Sequence, residues 1–169
     1  MMSQIFVSGH KSPDTDSIAA ALSYSYLKRR LGMDAVAVRA GEINKESRFA
    51  LDYFNLEEPM LVTSVARKNP EDEKQKVILV DHNESKQTID GMDDAEVLEI
   101  IDHHRFGDFE SENPIFILVR PVGCVNTVIY GLYKANHIKP SREIAGIMLS
   151  AIISDTVLFR SPTTTEEDK

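Results

Sequence analysis

Histidine and aspartate residues that could bind metal ions lie in four short blocks of this sequence. The blocks are GHKSPDTDS at 9–17, DHNE at 81–84, DHHR at 102–105 and SDT at 154–156. They contain four of the chain's five histidines. Carboxylate and imidazole groups together suit Mn, Fe, Co or Zn, and one carboxylate can bridge two such ions. The pattern therefore predicts a metal centre.

The aspartates of these blocks favour two ions over one. Asp14, Asp16, Asp81 and Asp155 together carry about −4 when ionised, a charge that two divalent ions would neutralise. Two ions about 3.5–4 Å apart, bridged by Asp81, would also activate a water molecule as a nucleophile. Simpler explanations exist for three of the four blocks. Asp16 or Ser17 could only cap a helix, Asp81 could only form a turn, and a nearby Arg or Lys could balance Asp155.

Apolar segments next to the blocks predict the elements that position them. Strands are predicted at 5–7, 35–38, 60–62, 77–80, 97–101 and 115–119, and helices at 45–54, 123–136 and 141–154. A further helix, capped by Asp16 or Ser17, is predicted to end near Leu31, before Gly32. This alternation predicts an α/β fold with a mostly parallel sheet flanked by helices on both faces. Ligands bind beyond the carboxyl ends of such strands, where we expect the blocks to meet.

Composition restricts the class of protein. The 169 residues fit one domain, and the net charge of −8 argues against broad nucleic-acid binding. Cys124 is the single cysteine and cannot form an internal disulfide, which favours a reducing compartment. We expect its side chain to be a small buried group of the core and not a catalytic thiol. The chain shows no signal segment and no apolar run of about 18 residues, so we expect a soluble, cytoplasmic protein without a membrane span.

The four blocks, in this order, resemble those of the DHH phosphoesterase superfamily, which takes its name from motifs such as DHH at 102–104. The segments GHKSPDTDS (9–17), VDHNE (80–84), IDHH (101–104) and LFRSPT (158–163) are similar to the manganese-dependent family II inorganic pyrophosphatases. Nuclease branches typically carry Gly or another residue where this chain has Thr15. The resemblance covers nearly the whole chain and implies a Rossmann-like DHH domain.

The resemblance also implies a role for each site residue. His10, Asp14 and Asp81 would bind one Mn²⁺, and a second Mn²⁺ would be bound by Asp16, Asp81, His103 and Asp155, with Asp81 bridging. His104 would contact the substrate phosphate and protonate the leaving group, so that His104 and Asp81 are the catalytic residues. Asp102 would hold a histidine in place. Co²⁺ or Mg²⁺ would also suit the site, and Mg²⁺ would accompany the substrate.

The implied reaction is the hydrolysis of pyrophosphate to two phosphates. Family members carry a second, carboxy-terminal domain whose Lys and Arg residues clamp pyrophosphate, and this sequence ends at Lys169 without one. Residues 1–169 are therefore expected to form the DHH metal-binding domain, with weak or no turnover alone. A homodimer is expected from the resemblance.

Two other functions remain open at this point. The first is a DHH phosphodiesterase or exopolyphosphatase acting on short oligonucleotides, cyclic dinucleotides or polyphosphate. The acidic net charge and Thr15 argue against it. The second is a non-catalytic domain used for metal binding or dimerisation, which a chain that binds no Mn²⁺ or Co²⁺ would favour.

Overall fold

A computed structural model describes residues 4–169 and contains one six-stranded sheet with four α-helices. The strands are β1 (Ile5–Ser8), β2 (Ala35–Arg39), β3 (Met60–Leu61), β4 (Lys76–Val80), β5 (Glu96–Asp102) and β6 (Phe116–Val119). The helices are α1 (Thr15–Arg30), α2 (Lys45–Tyr53), α3 (Val125–Ala135) and α4 (Arg142–Asp155). All strand pairs are parallel, in the order β3-β2-β1-β4-β5-β6. The predicted α/β class and parallel sheet are confirmed.

The strand order reverses between β1 and β4. From β1 the chain moves outward through β2 to β3, and from β4 it moves in the opposite direction through β5 to β6. Loops that leave neighbouring strands on either side of such a reversal diverge, and they open a crevice at the carboxyl ends of those strands. The 9–14 loop follows β1 and Asp81 follows β4. The fold thus brings the first two blocks together at this crevice.

The two faces of the sheet are covered differently. On one face, α1 and α3 pack against the strands through a core that includes Ala20, Tyr24 and Ile129, and α2 and α4 contact α1. The opposite face carries a separate cluster that includes Val77, Leu79 and Ile100. Loops and two short 3₁₀ turns cover that cluster. The prediction of helices on both faces therefore needs a correction: the α-helices cover the first face, and the second face has only the two 3₁₀ turns. The connections at 81–95 and 103–115 are rich in charged and turn-forming residues and lack the apolar periodicity of a helix.

Helix α1 begins earlier than predicted. Its N-cap is Asp14, whose side chain accepts a hydrogen bond from the Ser17 N–H at 2.9 Å, and the helix therefore starts at Thr15 instead of after Asp16 or Ser17. Both residue types, Asp and Ser, cap helices well. Tertiary contacts decide which residue caps the helix, because the Asp16 carboxylate is hydrogen-bonded to the start of α3. In residues 4–169, no helix combines the length and the apolar character needed to cross a bilayer.

Candidate metal centre

Asp81 lies at the centre of the site. It is the first residue after β4, it is 2% exposed, and its φ of 63° puts it in the left-handed region, which turns its carboxylate into the crevice. Asp81 Oδ2 lies 3.3 Å from His10 Nε2, and Asp81 Oδ1 lies 3.3 Å from His103 Nε2. Oδ1 nevertheless accepts no well-aligned hydrogen bond, although it is buried. One carboxylate therefore faces two separate groups of donors, one with each oxygen.

The first group contains His10, Asp14 and Asp81. His10 Nε2 lies 3.7 Å from Asp14 Oδ1, and one ligand atom from each residue lies within 4.8 Å of the others. The loop is fixed by the backbone N–H of His10, which donates to Ser17 Oγ at 3.0 Å. Asp14 and Asp16 belong to different donor groups, because Asp14 caps α1 and Asp16 lies in its first turn.

The second group contains Asp16, His103 and Asp155, with Asp81 Oδ1 beside it. His103 Nε2 lies 3.6 Å from Asp16 Oδ2 and 4.0 Å from Asp155 Oδ2. The other ring nitrogen, Nδ1, lies 2.9 Å from the carbonyl oxygen of Val122, which can only accept a hydrogen bond. A neutral His103 is therefore protonated on Nδ1 and offers the lone pair of Nε2 to the group.

His104 differs from His103 in its partners. His104 Nδ1 lies 2.8 Å from Asp102 Oδ1 and 3.7 Å from Asp81 Oδ1. Asp102 is fully buried, and its Oδ2 accepts a hydrogen bond from the Asn83 side chain at 2.7 Å. Since an ionised carboxylate only accepts, His104 Nδ1 carries the proton and Nε2 remains for another partner. The side chain is 54% exposed, so it reaches the open side of the crevice.

His10 and His103, which are partly buried beside the aspartates, both favour the protonated form. Burial disfavours the charged form of His10, but the Asp14 and Asp81 carboxylates outweigh it and raise the pKa of His10 to about 10. Burial opposes charge on His103 as well, and its pKa is raised to about 10, mainly by the Asp81 and Asp16 carboxylates. Positive charge is therefore favoured at both positions.

The carboxylates respond to the same crowding. Burial, followed by repulsion from Asp16, raises the pKa of Asp155 to about 9. Burial and the charge of Asp81 raise the pKa of Asp16 to about 6. Burial also works against an ionised Asp81, but the His10 and His103 rings close to its two oxygens outweigh burial and lower its pKa to about 2. The negative charge of the centre thus exceeds its positive charge, and protons on His10, His103 and Asp155 reduce the difference.

This arrangement fits divalent cations. The site has four carboxylates and two imidazoles around a crevice, and the buried Asp81 Oδ1 has no donor. Oxygen and imidazole donors of this kind suit Mn²⁺. The structure brings together every residue that the sequence analysis named as a metal ligand: His10, Asp14, Asp16, Asp81, His103 and Asp155.

Three side chains near the centre were missed by the sequence analysis. Cys124 and Asn126, at the start of α3, both hydrogen-bond to Asp16. Glu46, on α2, accepts hydrogen bonds from the hydroxyl groups of Thr15 and Ser154, which are neighbours of Asp16 and Asp155. Nothing in their own sequence neighbourhoods marks these residues, because each is far along the chain from the groups it contacts.

Comparison with known proteins identifies the class. Residues 4–152 match the DHH family, N-terminal domain, and the chain therefore belongs to that family. Within it, the chain is 53% identical over 167 residues to a Bacillus licheniformis protein named "Probable manganese-dependent inorganic pyrophosphatase". A protein of the same name from Exiguobacterium sp. is 50% identical over 167 residues. Each alignment covers 99% of this chain and 52% of the relative.

Solved structures agree with this assignment. A crystal structure of a Methanococcus jannaschii protein assigned to the family II inorganic pyrophosphatases superposes with a TM-score of 0.86 at 41% identity, covering 98% of this chain and 53% of that one. An exopolyphosphatase-related protein from Bacteroides fragilis superposes with a TM-score of 0.71 at 19% identity, covering 98% of this chain and 49% of that one, which shows a common fold. The chain spans about half the length of the curated relatives it matches.

Proposed function

We propose that this chain is the metal-binding part of a manganese-dependent inorganic pyrophosphatase, which hydrolyses pyrophosphate to two phosphates. The observation that carries the proposal is the position of Asp81, whose two buried oxygens face His10 and His103 separately, each at 3.3 Å. A carboxylate so placed suits a bridge between two ions, the arrangement used in dinuclear phosphate-hydrolysing sites. The names of the relatives at about 50% identity support the same reaction.

In this proposal the donors divide into two sets. His10, Asp14 and Asp81 bind one Mn²⁺, and Asp16, Asp81, His103 and Asp155 bind the other. Co²⁺ or Mg²⁺ can replace Mn²⁺, since such donors do not discriminate strongly among these ions. When bound, the two ions supply positive charge for the phosphate oxygens and lower the pKa of a bound water.

His104 is the proposed general acid. During hydrolysis the bond between the attacked phosphorus and the bridging oxygen breaks, and the leaving phosphate gains negative charge on that oxygen. His104 Nε2 donates a proton there, while Asp102 keeps Nδ1 protonated and stabilises the imidazolium form. The hydrogen bond to Asp102 raises the pKa of His104 above its ordinary value, which favours the acid form before the reaction.

Two basic side chains of the blocks, and Arg120 just after β6, are engaged in ion pairs. Lys11 pairs with Asp90 at 2.5 Å, Arg105 with Glu84 at 3.1 Å, and the Arg120 guanidinium with Glu167. We therefore propose that residues 1–169 form the DHH metal-binding domain, that a second domain of the whole protein clamps pyrophosphate, and that Mg²⁺ accompanies the substrate. Turnover by residues 1–169 alone is then expected to be weak.

We also propose a homodimer in a reducing, cytoplasmic compartment. The outer edge of β6 carries exposed Phe116 and Ile117, an edge that another strand could cover. Cys124 is buried, as a free thiol of the core would be. The net charge of −8 opposes nucleic acid as a partner.

The test is phosphate release from pyrophosphate with Mn²⁺ present, beside a p-nitrophenyl nucleotide ester and the full-length B. licheniformis relative. We expect slow, chelator-sensitive phosphate release, well below the rate of the full-length relative, and no nitrophenol. Preference for the nucleotide ester would replace the proposal with a phosphodiesterase. Turnover equal to that of the full-length relative would overturn the need for a clamping domain.

A further inference from the structure

The Asp16 carboxylate is held by the first residues of α3. Asp16 is fully buried. Its Oδ1 accepts three hydrogen bonds, from Cys124 Sγ at 2.8 Å, from Asn126 Nδ2 at 2.6 Å and from the Asn126 backbone N–H at 3.3 Å. Its Oδ2 accepts one, from the Val125 N–H at 2.9 Å. The donors are therefore distributed unequally between the two oxygens.

This unequal distribution decides which oxygen can bind an ion. A carboxylate oxygen has two lone pairs, so the three donors around Oδ1 leave it no free direction. Oδ2 has one donor and is the oxygen 3.6 Å from His103 Nε2, inside the second donor group. Asp16 is thus arranged to bind an ion through Oδ2 alone.

The Asn126 side chain makes the shortest of these contacts, and its own orientation is fixed by a further hydrogen bond. It is fully buried, and its carbonyl oxygen accepts a hydrogen bond from Ser23 Oγ at 3.0 Å. The amide NH₂ therefore points to Asp16, where it contacts Oδ1 and also the backbone carbonyl oxygen at 3.2 Å. A carboxylate cannot donate, so this orientation of the amide is the one that satisfies both partners.

We propose that Asn126 is a positioning residue of the metal centre: by occupying Asp16 Oδ1 it makes Asp16 a monodentate ligand through Oδ2. The inference rests on the proposed function, since it assumes an ion bound by Asp16, His103 and Asp155. Without the Asn126 side chain, Oδ1 loses its closest donor and keeps only Cys124 Sγ and the 3.3 Å contact with the backbone N–H, so it is held away from the ion less firmly. Groups that orient a metal ligand in this way typically change metal affinity about 10–100-fold when removed.

The experiment is calorimetric titration of Mn²⁺ into the wild type, Asn126→Ala and Val128→Ala. Val128 is the matched control, because it lies on the same helix, is buried, and makes its contacts in the apolar core. We expect two binding events in the wild type and in Val128→Ala. In Asn126→Ala one event should weaken about 10–100-fold while the other keeps its affinity.

One further variant background and one further readout identify the weakened event and separate positioning from loss of fold. In a His103→Ala background, which removes a ligand of the second ion, Asn126→Ala should have no further effect on the remaining event. The visible absorption of the Co²⁺-loaded protein provides a second readout. A change from monodentate to bidentate Asp16 adds an oxygen to the ion and weakens the absorption, whereas the core variant Val128→Ala should leave the spectrum unchanged.

The outcomes distinguish this inference from the proposed function. A wild type that binds fewer than two Mn²⁺ contradicts the proposed function itself. A wild type that binds two, with unchanged affinities and Co²⁺ spectrum in Asn126→Ala, overturns only the role of Asn126. Should Asn126→Ala not fold, Ser23→Ala carries the test, since it frees the amide to rotate. A several-fold loss in the same event then supports the role, and unchanged affinity overturns it.

Discussion

His104 donates a hydrogen bond from Nδ1 to Asp102 Oδ1 across 2.8 Å. Asp102 Oδ1 also accepts from the backbone N–H of His103 at 2.7 Å, so the same carboxylate fixes the turn on which both histidines lie. His103 Nε2 faces the buried aspartates, whereas the His104 ring is half exposed. One fully buried aspartate thus gives two adjacent histidines different orientations and different tasks.

A His104→Gln variant should separate metal binding from turnover. His104 belongs to neither of the two proposed donor sets, so both Mn²⁺ binding events should keep their affinity in calorimetry. Phosphate release, measured in the full-length B. licheniformis relative with the corresponding substitution, should fall about 10²–10⁴-fold, as expected when a general acid is removed. Loss of one Mn²⁺ binding event would instead make His104 a metal ligand.

An Asp81→Asn variant should lose more Mn²⁺ affinity than a variant that removes a ligand of only one ion. The amide has one oxygen and no negative charge, so it cannot serve His10 and His103 together. We expect both Mn²⁺ binding events to weaken by at least about 100-fold, since the change also removes the charge that links them. Asp52→Asn, an exposed position on α2, is the control and should bind Mn²⁺ as the wild type does. Loss of only one event would show that Asp81 does not bridge.

Mn²⁺ binding should release protons and strengthen as the pH rises. The pKa of His10 and of His103 is raised to about 10 without metal, and that of Asp155 to about 9, so these groups hold protons at neutral pH that an ion must displace. Affinity should therefore rise between about pH 6 and pH 9. The measurement is the binding enthalpy in buffers of different ionisation enthalpy. An enthalpy independent of the buffer would contradict proton release.

Asp168→Ala should destabilise the chain without touching a metal ligand. The buried Asp168 carboxylate accepts hydrogen bonds from the Gly123 N–H at 2.9 Å and from Thr127 Oγ1 at 2.6 Å. Its removal leaves these donors unpaired near the start of α3, at an expected cost of about 1–3 kcal/mol in urea unfolding. Glu166→Ala, at an exposed position paired only with Lys169 in the part of the chain described, should cost less than about 0.5 kcal/mol. Equal effects of the two changes would contradict the anchoring role of Asp168.

The sequence was sufficient to predict the sheet and the groups around the centre. Each strand that precedes a block is a short apolar run, and a parallel sheet brings the carboxyl ends of such strands to one edge, so His10 and Asp81 could be expected to meet. The sequence was insufficient where two local conformations, such as two alternative helix starts, have similar energies. Asp14 and Asp16 are equally good caps for α1, and only the distant start of α3 decides between them.

The role of Asn126 could not be predicted for a related reason. Asn126 and Asp16 are 110 residues apart, and a polar residue in the first turn of a helix is ordinary. Its importance depends on the packing of α3 against α1, which the periodicity of either helix does not specify. The same holds for Glu46, which joins two hydroxyl groups 139 positions apart, at residues 15 and 154.

The donors of the centre come from segments that span residues 10 to 155 and meet only when β1, β4, β5 and α4 are all in place. An unfolded chain cannot gather them, so an ion bound there as proposed would favour the native state over the denatured ensemble by mass action. At a free ion concentration about a hundred times the dissociation constant, each bound ion would add about 2.7 kcal/mol to the free energy of unfolding. The melting temperature of this chain should therefore rise with the Mn²⁺ concentration, and removal of the ion should lower the folded fraction.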